Sequence, residues 1–380
     1  MRKFLALGAD ILTAAVLLAA IWIANYLIPQ QGIPAGSVLS QTQTESGSVQ
    51  GSPESGTGSG EEETDSGQAL SAIPEEVLAQ RTKKLQELVD AGSGTLETTR
   101  VKLDTQDWHQ KFAEHFTDGI VMSDTSYTSP DLSIHLTYDT VKTGRIDRTE
   151  GGKHQKYGTN ISYVLADIYV GDITCLQTGF AQDTYGVGYL EKLVEMSDRM
   201  QSVLAVNGDS YSNSRHVNNG TIIRNGVIYR ERPTDMETCV LNWDGTMKIY
   251  APDELETRQL KNEGAYQTWI FGPSLLDENG KAKTEFRTWD YIRESHPRTA
   301  IGYYEPGHYC LLVVDGRQSN IRGMFLDEMA ALFESLGCRA AYNLDGGHCS
   351  FMTMGTQVVS HPYSPEQQIQ DGIFLMEAMP

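Results

Sequence analysis

The chain has 380 residues, enough for one large or two modest domains with a substantial core. With 39% hydrophobic residues, 36 Gly and 13 Pro it is neither wholly disordered nor a collagen-like polymer. A formal net charge of −20 excludes an unspecific electrostatic grip on nucleic acid.

Met1-Arg2-Lys3 precedes an apolar run from Ile11 to Ile28 that only Thr13, Asn25 and Tyr26 interrupt. At about 1.5 Å per residue such a helix covers most of a ~30 Å hydrocarbon core. No further Lys or Arg occurs before Arg81, so the positive-inside rule puts the N-terminus in the cytoplasm and exports the rest. Residues 1–29 are therefore expected to form a single-pass anchor in the cell membrane. A signal peptide cleaved near Pro34-Ala35-Gly36 is the competing reading.

Residues 30–72 hold 8 Gly and 9 Ser, six acidic residues, no basic one and no aromatic ring, a composition that cannot offset ordering entropy; a flexible linker is expected. Residues 73–119 read as a helical stalk and connector. Pro74-Glu75-Glu76 opens its helix, Val77, Leu78, Leu85, Leu88 and Val89 share a face, and Gly92 closes it.

From residue 120 to 380 the pattern is that of one α+β domain with a mixed β-sheet and packed helices. Leu132, Ile134, Leu136 and Tyr138 alternate with polar neighbours, as do Val164, Ala166, Ile168 and Val170, predicting strands with one buried face. Asn225-Gly226 and Asp244-Gly245 sit between apolar runs and predict two hairpins. Helical spacing covers 189–200 and 325–336, the second followed by Gly337. That second helix separates the apolar runs 309–314 and 340–344, a strand–helix–strand unit whose two strands should be parallel.

Three predicted strands end in polar, Gly-containing turns: Asn207-Gly208-Asp209, Asp315-Gly316-Arg317-Gln318 and Asp345-Gly346-Gly347-His348. The crossover should make Asp315 and Asp345 neighbours, at the sheet edge where ligands bind. Any one Asp-Gly or Asn-Gly pair is an ordinary turn dipeptide; three at strand ends suggest a site. The five cysteines, Cys175, Cys239, Cys310, Cys338 and Cys349, are dispersed without a C-x-x-C pair and read as mostly buried free thiols.

At these turns the sequence resembles the phosphodiester glycosidase domain family, also described as uncovering-enzyme-like or exopolysaccharide-biosynthesis-related. The resemblance is carried by Ala205-Val206-Asn207-Gly208-Asp209, Pro297-Arg298-Thr299-Ala300-Ile301-Gly302, Val314-Asp315-Gly316-Arg317-Gln318 and Asn343-Leu344-Asp345-Gly346-Gly347-His348-Cys349-Ser350. It implies hydrolysis of the bond between an anomeric carbon and a phosphodiester, with a sugar-phosphate-containing glycan or nucleotide-sugar-like substrate and no cofactor. A phosphate leaving group needs electrostatic stabilisation more than a proton, which suits the forked guanidinium groups of Arg298 and Arg317. An oxocarbenium-like sugar centre needs a carboxylate, for which Asp209, Asp345 and Asp315 are the candidates, the first two foremost. Asn207, Gly208, Gly316, Asn343, Gly346, Gly347 and Ser350 complete the expected substrate-binding set.

Cys349 stands where the family has a serine, with Ser350 next. A thiol is a poorer donor to phosphate than a hydroxyl, and a nucleophilic thiolate is a further reading. Asp345 and His348 alone lack a third metal ligand in sequence; His216 or His361 could join only through folding. No metal is therefore assigned. The rival functions are a non-catalytic cell-surface glycan-binding module and a metal-dependent phosphodiesterase.

Overall fold

The structure, a computed structural model, describes residues 33–34, 97–99, 107–147, 157–213, 216, 219–252 and 254–378. The expected anchor, nearly all of the expected linker and the helix expected after Pro74 lie outside these residues. Among the described residues no helix is long and apolar enough to cross a membrane.

Two large sheets carry the architecture. The first has seven strands in the order Ala340–Asn343, Arg298–Glu305, His308–Val314, Asn160–Val170, Leu132–Lys142, Ser126–Thr128 and Val121–Met122. The second has five, in the order Gln357–Val358, Met352–Met354, Leu204–Asn207, Asp371–Leu375 and Leu176–Phe180. Alternation decides what the long strands bury: Leu132, Ile134 and Leu136 point inward with Val164, Ala166 and Ile168 across from them. Tyr138, expected on the same buried face, is 42% exposed, although Val164 opposite it is buried.

The inward faces of the two sheets share one core, in which Leu311, Val313 and Ile301 of the first meet Leu204, Val206, Met352 and Ile373 of the second. Helix Leu326–Ser335 covers the opposite face of the seven-stranded sheet, placing Leu326, Met329 and Phe333 on Cys310, Leu312 and Val314. Burying a side chain such as Phe333 contributes roughly 1.5–3 kcal/mol. Gly337, at φ +82°, ends this element. Helix Leu193–Met200 caps the outer face of the five-stranded sheet through Leu193 and Met196 against Ala205 and Phe374. The layers thus run helix, sheet, sheet, helix.

Both predicted hairpins form. Ile222–Arg224 pairs with Val227–Arg230 around Asn225-Gly226, and Thr238–Asn242 with Met247–Tyr250 around Asp244-Gly245. The crossover unit differs from expectation. Strands His308–Val314 and Ala340–Asn343 run in the same direction but do not pair; Arg298–Glu305 lies between them, antiparallel to each. All pairings between the named strands are antiparallel, so the sheet is not the mixed one expected. The cause is the tight reversal after Glu305, where Gly307 at φ +88° turns the chain into a hairpin whose first strand fills the gap the crossover leaves.

Candidate active site

The antiparallel insertion determines which chain ends meet. Arg298 opens its strand opposite Val314, where the neighbouring strand ends, and Ala300 lies opposite Asn343 on the other side. The starts and ends bearing Arg298, Asp315 and Asn343 therefore share one edge. The five-stranded sheet brings Asn207 to the same edge. Its Oδ1 accepts from the Thr299 hydroxyl at 2.6 Å and its Nδ2 donates to the Asp345 carbonyl at 2.7 Å. Asp345 N–H in turn donates to the Gly208 carbonyl at 3.1 Å. The seam between the sheets is thus sewn through Asn207, Gly208 and Asp345.

At this seam opens a cavity of about 250 Å³ lined by Asn207, Gly208, Ser210, Asn213, Asp345 and Cys349, and closed by 367–371. Asp345 is partly exposed to it. Its carboxyl is raised to about 6, chiefly because its surroundings exclude water; donation from Gly346 N–H, Cys349 and Ser210 opposes the rise. A carboxyl poised near neutrality can take or give a proton there.

Asp209 is placed differently. It is wholly buried, and both oxygens accept backbone N–H groups, from Ile270 at 2.9 and 2.8 Å and from Phe271 at 2.7 Å. Arg224 sits 3.5 Å from Asp209 Oδ2 and 2.6 Å from Asp371 Oδ2, while Asp371 Oδ1 accepts from Asp209 N–H at 2.8 Å. Burial raises the Asp209 carboxyl, against the pull of Arg224. This enclosed ionic cluster anchors residues 208–210, and the Asp209 carboxylate does not line the cavity. Gly208 is required beside it, because a Cβ there would come within 2.7 Å of Asp371 Oδ1.

Asp315 is also buried, accepting from Ser162 Oγ at 2.9 Å and His361 N–H at 2.8 Å. Burial raises it too. It ties strand Asn160–Val170 to the 361 loop rather than facing the cavity. Arg298 is buried and its guanidinium donates to the carbonyls of Met324, Ile292 and Glu294, so it binds the polypeptide. Burial first, then Arg317, lower it to about 9.

Arg317 has the more open guanidinium. It donates to the Tyr363 hydroxyl at 2.8 Å and lies 3.4 Å from His296 Nδ1. His296 Nε2 is 2.8 Å from the Tyr291 carbonyl, so that nitrogen carries the proton; burial, Arg298 and Arg317 drop its pKa to about 3 and keep the ring neutral. Arg317 has φ +57°, a strained value for a residue with a side chain. Its Nη2 would be 3.2 Å from a Cβ on Gly347, and its charge reaches the Cys349 thiol. The Asp345–Cys349 turn therefore has a carboxylate on one flank and a guanidinium on the other.

Gly346 and Gly316 permit close backbone packing: a Cβ would lie 2.9 Å from the Pro297 carbonyl and from Gly323 Cα, respectively. Asn343 Nδ2 donates to the Gly272 carbonyl at 2.6 Å. Asn343 Oδ1 and Ser350 Oγ are buried polar atoms with no hydrogen-bond partner among the described residues. The Cys349 thiol is pushed well up by burial and by Asp345, so it is a protonated donor and no thiolate nucleophile. His348 stacks on Tyr363 at 4.7 Å, and His216 packs against Phe271 and Trp289. Among the described residues no group of three His, Cys, Asp or Glu side chains is arranged to hold a metal.

Arg224, Ser210, Asp371, His296 and Tyr363 were not singled out from sequence. Arg224 left a trace, a charge closing the otherwise apolar Ile222–Arg224 strand, and Asp371 opens the apolar Asp371–Leu375 strand; Ser210, His296 and Tyr363 stand in unremarkable polar loops.

A family comparison gives these turns their meaning: residues 200–376 match the phosphodiester glycosidase model. Over those residues the chain is similar to a phosphodiester glycosidase domain. As folded, the domain reaches further toward the N-terminus, since Val121–Val170 supplies four strands of the seven-stranded sheet. The chain is 34% identical over 170 residues to the SPbeta prophage-derived uncharacterized protein YomE of Bacillus subtilis (strain 168), a match that covers 44% of this chain and 26% of that protein. The chain thus matches about a quarter of that relative's length. Among solved structures, the zebrafish N-acetylglucosamine-1-phosphodiester alpha-N-acetylglucosaminidase catalytic domain, auto-inhibited by its pro-peptide, aligns with TM-score 0.49 and 20% identity, over 76% of this chain and 90% of that one. A hypothetical protein from Synechocystis aligns with TM-score 0.45 and 11% identity, over 65% and 62% of the two chains.

Proposed function

We propose that this domain hydrolyses a glycosyl phosphodiester, splitting the bond between the anomeric carbon and the phosphate oxygen to give a free sugar and a phosphomonoester. The observation that carries the reading is Asp345: a carboxyl in the cavity wall, near neutrality, beside a turn whose other flank holds Arg317. The ionised carboxylate stabilises the cationic sugar centre and takes the proton of the attacking water. The water oxygen bonds to the anomeric carbon, and the departing phosphate keeps the electron pair of the broken bond. That phosphate is a weak base, so the fixed charge of Arg317 suffices to receive it. Asp209 and Asp315 act by holding the strand ends, and Arg298 by fastening Ile292 and Glu294.

The cavity's other polar walls are neutral amides and hydroxyls, including Asn213, Gln368 and Gln370, and Asp371 is its other carboxylate. Such a lining suits an uncharged, hydroxyl-bearing or N-acetylated sugar. N-acetylglucosamine-1-phosphodiesters and UDP-N-acetylglucosamine are the test substrates. Free N-acetylglucosamine as product supports the reading. A phosphorylated sugar whose formation a chelator abolishes would identify a metal-dependent phosphodiesterase, and binding without turnover a glycan-binding module.

The apolar run Ile11 to Ile28 and the Gly/Ser-rich stretch after it support display of the domain on the cell surface, in envelope or exopolysaccharide metabolism. Protease added to intact cells should release the domain by cutting the stretch before Pro74; complete protection refutes this placement.

A further inference from the structure

Asp345 does not hold its own orientation. Gly346 N–H reaches Oδ1 at 2.9 Å, and Ser210 and Cys349 line the same cavity wall, where their side chains favour the ionised carboxyl. Ser210 arrives there from the other sheet, in a left-handed backbone conformation at φ +52° that costs a side-chain-bearing residue about 1 kcal/mol or more. Its Oγ accepts from Asn213 Nδ2 at 3.0 Å, which leaves the hydroxyl proton for Asp345. What enforces the strain is the residue before it. Asp209 is clamped at its N–H by Asp371 and at its carboxylate by Ile270, Phe271 and Arg224, with no freedom to relax.

We propose that Ser210 is a positioning residue of the hydrolytic site: held by Asn213 and by the buried Asp209–Arg224–Asp371 cluster, it aims the Asp345 carboxyl into the cavity, with Cys349 as the opposing clamp. This rests on Asp345 being the reactive carboxylate. Gly346 N–H, Ser210 and Cys349 favour its ionised form, against burial and the nearby charge of Asp371. The thiol at 349 is then a second, weaker donor where a serine hydroxyl would bind the carboxylate more strongly.

The test uses the full chain labelled with ¹³C at aspartate carboxyls, with Asp345→Asn identifying the Asp345 signal. Ser210→Gly removes the hydroxyl and relieves the backbone strain, so it should fold at least as well as wild type; Ser210→Ala is the second variant. Both should raise the Asp345 titration midpoint by about half a unit to one unit. The acid limb of the rate profile should move with it, and kcat should fall roughly tenfold with little change in KM. Cys349→Ser should shift midpoint and limb the other way. Unchanged titration in both Ser210 variants overturns the proposal. If the carboxyl titration shifts as expected while wild type cleaves no glycosyl phosphodiester, the positioning stands and the hydrolase reading fails.

Discussion

Replacing Arg224 with methionine should destabilise the domain in a manner that depends on pH. The guanidinium is 1% exposed and lies between two carboxylates, donating also to the carbonyls of Ile223 at 3.1 Å and Thr268. Methionine fills similar volume, so the packing loss is small and the electrostatic loss dominates. It leaves Asp209 and Asp371 buried without their cation, a change that costs about 3–5 kcal/mol for a broken buried pair. For a domain of this size that corresponds to a melting temperature lower by about 6–20 °C. The sign with pH follows from Asp209, whose folded carboxyl lies above its ordinary range. Such a group supports the fold fully when protonated, and that support is lost as pH rises through the folded value. Without Arg224 the folded value climbs further, so the variant's deficit should be greatest near pH 8 and shrink toward pH 5. Thermal melts of both proteins across that range decide it. A deficit below about 2 °C, or one independent of pH, refutes the view that this cluster anchors residues 208–210.

Asp345→Asn should lower kcat on the order of a hundredfold or more at unchanged melting temperature, since shape persists and only the charge is lost. Because wild-type Asp345 must be ionised, activity should rise with pH through about 6, and the residual activity of the Asn variant should lack that limb. Arg317→Lys keeps the charge but loses the fork; kcat/KM should fall far more for glycosyl phosphodiesters than for aryl glycosides, which carry no phosphate. Gly208→Ala forces a Cβ to within 2.7 Å of Asp371 Oδ1 and 3.0 Å of its carbonyl, and should cost about 1–3 kcal/mol in denaturant melts.

The sequence is legible where the physics is local. Alternation placed Leu132, Ile134 and Val164 through Val170 correctly, and Asn225-Gly226 and Asp244-Gly245 closed their hairpins. Pairing partners were not legible, because nothing in the apolar runs 309–314 and 340–344 discloses that a third strand separates them. The same limit applies to the site. An acid beside a glycine marks a strand end but not its direction, and Asp345 lines the cavity while Asp209 turns inward to Arg224. Arg224 and Asp371 are separated by 147 residues and become a unit only when the five-stranded sheet forms beside the 222–230 hairpin.

Asn207 joins the sheets by two side-chain hydrogen bonds, one to Thr299 and one to the Asp345 carbonyl. The Asp345 carboxyl is thereby mounted on a joint rather than on either slab, and its coordinates are set by the spacing between them. Core side chains far from the cavity, such as Val206, Ile301 and Leu311, act as shims for that joint. A methylene added or removed there alters the gap by fractions of an ångström, on the scale that proton transfer from a bound water is sensitive to. The geometry of the cavity is consequently open to tuning by residues that never line it, and substitutions in the greasy interior of this sandwich should alter the position of Asp345 as well as stability.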